Sequence, residues 1–71
     1  MPLMGDDGSE FDWSVTGSAT TGFRGHYLVR RPCSRSVEAE ADSQPHASRD
    51  RAVAWLHLEA RARGFDARGI K

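Results

Sequence analysis

Cysteine occurs once in this chain, at Cys33. A single thiol excludes an internal disulfide and every zinc framework built on paired cysteines, and it suits a reducing compartment. Neither sign of charge is in surplus, because ten Lys and Arg side chains balance ten Asp and Glu. That balance argues against the nonspecific adhesion to nucleic acid or anionic lipid that a net basic chain shows. No stretch approaches the roughly 20 apolar residues of a membrane span. The segment 1–10 holds neither an apolar run nor a basic leader, so the expectation is a soluble, cytoplasmic protein with no signal peptide and no membrane partner. Aromatic side chains make up 8% of the 71 residues, so few large groups are available to fill a core. A chain this short buries only about 60% of the surface its unfolded form exposes. Its stability is then a few kcal/mol, and little material remains to wall a catalytic cleft.

What is present reads as a succession of short elements. Residues 1–10 are polar, acidic and Gly-containing, which predicts poor order. From Phe11, the residues Phe11, Trp13 and Val15 alternate with Asp12, Ser14 and Thr16, the period-two pattern of a half-buried strand. Gly17–Gly22 is a turn. A second extended run from Phe23 to Arg31 sets Phe23, Gly25, Tyr27 and Val29 on one face and Arg24, His26, Leu28 and Arg30 on the other, and Pro32 ends it. Residues 36–42 alternate Val37, Ala39 and Ala41 with Glu38, Glu40 and Asp42. Glu and Ala favour a helix there, while the alternation between two turn signals favours a strand, and the strand is preferred. Such a strand would set Glu38 or Glu40 across from Arg30 or His26.

The clearest element is the helix beginning after Ser48. The Ser48 hydroxyl is a good N-cap, and Asp50 complements the positive end of the helix dipole. Arg61 and Arg63 sit at the negative end. Gly64 supplies the left-handed residue of a Schellman cap, and Phe65 can fold back toward Ala60. The fold class is therefore α+β: a small three-stranded antiparallel β-meander followed by one C-terminal helix packed on the sheet (βββα). One domain spans 11–65, and 66–71 is read as a loose basic tail. The expected core joins Phe11, Trp13, Val15, Tyr27, Val29, Val37 and Ala39 to Val53, Leu56 and Ala60.

At 100° per residue the helix carries more apolar surface than one sheet can cover. Ala52, Val53, Leu56 and Ala60 form one stripe; Ala54, Leu58 and Ala62 form a second on the far side of Trp55. The surplus predicts a plain Ala-rich helix, folding of the tail and Phe65 over Leu58, or a contact surface centred on Leu58 and Trp55.

The chemistry-bearing motifs are weak. Gly17–Gly22 matches the spacing G-x-x-x-x-G, but Phe23 and Arg24 replace the Lys and Ser/Thr of a phosphate loop, so a hairpin is the better reading. His26, His46 and His57 fit no metal spacing and fall on different elements. Cys33 between Arg31 and Arg35 has a basic neighbourhood, yet it reads as an ordinary turn cysteine. No catalytic, cofactor-binding or metal-binding set emerges.

In element order, three strands and a helix resemble the DNA-reading arm domains of phage integrases, and the strand-strand-helix portion is similar to the end of double-stranded RNA-binding domains. That resemblance implies nucleic-acid binding through Arg24, His26 and Arg30. The sequence departs from it where Glu38, Glu40 and Asp42 interleave with those cations, and where Ser48 is followed by Arg49, Asp50 and Arg51 instead of paired lysines. The favoured expectation is a small non-enzymatic module acting through protein–protein interaction, a compact inhibitor or adaptor of the kind mobile genetic elements encode. Trp55 and Leu58 would anchor the partner, Arg30, Arg31 and Arg35 would orient it, and a homodimer is included among the expected assemblies. Nucleic-acid binding by the basic face of the sheet is the alternative.

Overall fold

The computed structural model describes residues 2–5, 8–32 and 37–70. Strands β1 (Pro2–Met4), β2 (Glu10–Ser18), β3 (Gly22–Arg30) and β4 (Val37–Asp42) precede helix α1 (Arg49–Ala62) and a 3-10 turn at Ala67–Gly69. The strands form one antiparallel sheet in the order β1-β2-β3-β4, with α1 across one face. The α+β class and the helix-on-sheet closure are as expected, and the strand count is corrected from three to four. No helix among the described residues is long and apolar enough to cross a membrane.

The central hairpin follows the alternation directly. Phe11 pairs with Val29, Trp13 with Tyr27 and Val15 with Gly25, so all six lie on the helix side of the sheet. At its tip the Ser18 hydroxyl accepts from the amides of Thr20 and Thr21, and the Thr21 hydroxyl accepts from the Ser18 amide. The turn thus satisfies its own backbone and leads into a strand, which confirms a hairpin over a phosphate loop.

Two end segments depart from expectation. The segment 1–10, expected to be poorly ordered, supplies β1, in which Leu3 pairs with Phe11 and packs against the core. Of the segment 66–71, read as a loose tail, residues 66–70 instead fold under the helix: Ala67 and Ile70 are buried within the main cluster beside Phe65. His57 holds this turn in place, its Nε2 donating to the Ile70 carbonyl at 2.8 Å. In both cases a few apolar side chains too short in sequence to show a period find cover that the sheet and helix already provide.

A third departure concerns β4. Ala39 pairs with Val29, but Arg30 pairs with Val37, so Glu38 is an extra residue in the ladder, a β-bulge. Val37 therefore lies on the solvent face and is 44% exposed, not in the expected core. The same step shifts the expected cross-strand contacts. Asp42 stands opposite His26 and Glu40 opposite Leu28, while Glu38 reaches Arg31.

The core is built on a stack of rings. Phe11 lies on Tyr27 with centroids 4.8 Å apart and planes at 17°, and Phe65 tilts against Phe11 at 5.3 Å. Ala52, Leu56 and Ala60 of α1 are completely buried above them. Phe65 reaches this position through the anticipated cap. Its amide donates to the Ala60 carbonyl at 2.9 Å and that of Gly64 to Arg61 at 3.1 Å, with Gly64 at φ 85°. At the other end the Ser48 hydroxyl accepts from the Arg51 amide. Helix and sheet approach closely at Gly25: a Cβ there would lie 3.0 Å from both Leu56 Cγ and Trp55 Cε3, and 3.3 Å from the Ala52 carbonyl.

Candidate functional site

The two broad faces of the molecule differ in kind. The open face of the sheet presents the residues opposite the core positions: Glu10, Asp12, Ser14 and Thr16 from β2, Arg24, His26, Leu28 and Arg30 from β3, and Glu40 and Asp42 from β4. Four carboxylates thus share the face with two arginines. His26 is held between the two carboxylates of β4, its Nδ1 2.5 Å from Asp42 Oδ1 and its Nε2 3.8 Å from Glu40 Oε2. Ser14, His26 and Asp42 lie in one row across three strands, but the His26 ring is turned to the acidic neighbours on β4. Among the described residues no group of three His, Cys, Asp or Glu side chains is placed to hold a metal ion.

The outer face of α1 is basic and apolar. Arg51 and Arg61 are exposed with Asp50, and between them run Ala54, Leu58 and Ala62. These three are spaced one turn apart and so form a single stripe. Leu58 is 66% exposed, the most exposed large hydrophobic side chain among the described residues. Two shallow depressions flank it. One, of about 450 Å³, is lined by Asp50, Val53, Ala54, His57 and Leu58. The other, of about 400 Å³, is lined by His46, Arg51, Ala54, Trp55 and Leu58. The walls of both come from the capped helix, joined in the second by His46 from the loop before it.

Of the residues singled out from the sequence, the structure brings together Trp55 and Leu58. They differ in availability. Trp55 is half-buried, with its ring over Gly25 and tilted against Tyr27 at 5.6 Å, so much of its surface is already used inside the molecule. Leu58 touches solvent. The arginines do not join them. Arg30 belongs to the open face of the sheet, turned away from α1 by the strand alternation. Arg31 is spent internally: its guanidinium binds Glu38 through both Nε and Nη2, and its Nη1 donates to the Ser9 hydroxyl at 3.1 Å. This clamp ties the β1–β2 connection to the start of β4. Arg35 and Cys33 lie outside the described residues.

Other polar groups near the helix also serve the fold. The Tyr27 hydroxyl donates to Glu59 Oε1 at 3.1 Å and accepts from Arg63 Nε at 3.1 Å, which satisfies a buried phenol and fixes the helix C-terminus to β3. The exposed Asp66 carboxylate is held at a pKa of about 2 by its side-chain hydrogen bonds from Arg68, helped by the Arg68 amide. Sequence reasoning missed Val53 and His57 as walls of the Leu58 surface. The signal was present in their i, i+4 spacing, but which flank of the stripe stays open depends on how the tail packs.

Neither a scan against protein-family models nor searches of the curated proteins and of the solved structures finds a match to this chain.

Proposed function

We propose that this chain is a small non-enzymatic binding module that docks another protein on the outer face of α1, with Leu58 as its central anchor and the exposed edge of Trp55 beside it. The observation that carries this reading is the 66% exposure of Leu58 in the middle of a capped, rigid helix whose opposite face is fully used in the core. Burying such a side chain is worth about 1.5–3 kcal/mol. Depressions on both sides of it allow a partner's side chains to interlock. The surrounding arginines supply orientation in place of the Arg30, Arg31 and Arg35 set expected from the sequence. The charge of the open sheet face supports a protein partner over nucleic acid: Glu10, Asp12, Glu40 and Asp42 outnumber Arg24 and Arg30 there, and carboxylates repel phosphate.

The test is site-specific photo-crosslinking in the native host. A photoreactive residue at position 58 is expected to give protein adducts, and one at position 24 on the sheet face is expected to give none. Adducts confined to position 24, or adducts with nucleic acid at either position, would reverse the assignment.

A further inference from the structure

The helix face described above has a self-complementary layout. At 100° per residue, Asp50 and Arg61 fall within about 20° of each other on one flank of the Ala54–Leu58–Ala62 stripe. They stand near opposite ends of the helix. Neither is paired with a charged group among the described residues. On the same flank, Asp50, Val53, Ala54 and His57 line the larger depression. Their spacing, i, i+3, i+4 and i+7, is that of the four-residue hole which receives a knob from a facing helix.

We propose that this surface docks on the same surface of a second copy, the two α1 helices running antiparallel about a two-fold axis near residues 55 and 56. The proposal rests on the reading of α1 as the binding face and names its occupant. In an antiparallel pair related by that axis, like flanks face each other and residues equally far from the axis meet. Asp50 of each copy then meets Arg61 of the other, twice by symmetry. Leu58 of each copy comes level with residue 53 of the other and, at the centre of the stripe, packs over Ala54 beside the depression that Ala54 lines. Ala54 is small enough to let the helices approach closely. Parallel docking would instead turn the flank of Asp50 and Arg61 toward the opposite flank of the partner, and both contacts would be lost. The charges therefore select orientation as well as partner. One helix of 14 residues is about 21 Å long. A pair of that length falls below the roughly 1,200 Å² of a standard interface, so the dimer is of the weak, transient class.

Sedimentation equilibrium of the full chain, extended to millimolar concentration, reads the association, and circular dichroism confirms that each variant is folded. Wild type is expected to dimerise. Leu58→Asp is expected to weaken dimerisation by at least tenfold. Asp50→Arg alone and Arg61→Asp alone are each expected to weaken it severalfold, since each sets like charges together twice. An equimolar mixture of those two variants is expected to recover association, because the mixed pair restores both contacts. A wild-type chain that stays monomeric throughout overturns self-docking while leaving position-58 adducts with another protein as a separate result. A dimer indifferent to all three substitutions overturns self-docking through α1, and position-58 adducts with another protein remain a separate result. Failure of the mixture to recover association overturns the antiparallel arrangement.

Discussion

Replacing Gly25 with alanine tests how closely the helix is held to the sheet. Gly25 lies on the core face of β3, with its amide donating to the Ser43 hydroxyl at 2.8 Å and its carbonyl accepting from the Ser43 amide at 2.8 Å. The backbone cannot retreat without breaking these bonds. An added Cβ would stand 3.0 Å from Leu56 Cγ and Trp55 Cε3 and 3.3 Å from the Ala52 carbonyl, so three neighbours on the helix must each yield by several tenths of an ångström. Overpacking of this kind costs about 1–3 kcal/mol. Removing a glycine from the unfolded chain recovers about 0.4–1 kcal/mol. The net expectation is a loss of about 1–2 kcal/mol, which for a domain of this size lowers Tm by roughly 5–15 °C. Urea denaturation followed by tryptophan fluorescence measures it, with an unchanged m-value showing that the folded state is otherwise intact. A double-mutant cycle sharpens the test. Leu56→Ala removes one of the three opposing groups, so Gly25→Ala should cost less in that background than alone. A Gly25→Ala protein as stable as wild type, or a cycle with no coupling, would refute the argument that close approach at this position sets the helix–sheet distance.

Ile70→Ala should destabilise the fold by about 2–4 kcal/mol in the same assay, because Ile70 is buried in the main cluster and not in a loose tail. Gly64→Ala should cost about 1 kcal/mol, and Gly64→Asn less: the space around position 64 is empty, so the penalty comes only from holding φ at 85°. The Asp66 carboxyl, followed by NMR, should titrate near pH 2 in the wild type and return toward its ordinary 3.8 in Arg68→Ala. The sign follows from the depressed value. The Asp66–Arg68 contact favours the folded state above the unfolded carboxyl pKa and is lost as pH falls through about 2. Arg31→Ala should lower stability by under about 1 kcal/mol, since both partners of its ion pair are substantially exposed.

Where a segment is long enough to show a period, its structure is legible without coordinates. Nine-residue strands β2 and β3 declare their faces by alternating aromatic and polar side chains, and that alternation also determines that Arg30 turns away from the helix. The helix is bounded by residues whose capping chemistry is local: Ser48 needs only the first-turn amides, and Gly64 needs only a left-handed backbone. The surplus of apolar surface on α1 is likewise a matter of composition and spacing, and Leu58 is where that surplus emerges.

Tertiary structure decided the rest. Leu3 in Pro2–Met4 and Ile70 beside Ala67–Gly69 are apolar residues in short segments, and a few residues carry no period. They are ordered because the β2 edge offers a ladder and the space beneath His57 offers cover, neither of which exists until the sheet and helix have met. The bulge at Glu38 is of the same kind. The alternation of Val37, Ala39 and Ala41 predicts one face for all three, but the clamp of Glu38 on Arg31 accompanies a ladder with one residue too many, and Val37 turns to solvent. Local patterning determined which residues could be buried. Only packing at a distance determined that Trp55 would be drawn over Gly25 while Leu58 stayed in water, because a sheet face of fixed width can cover one stripe of a helix and must leave the other open.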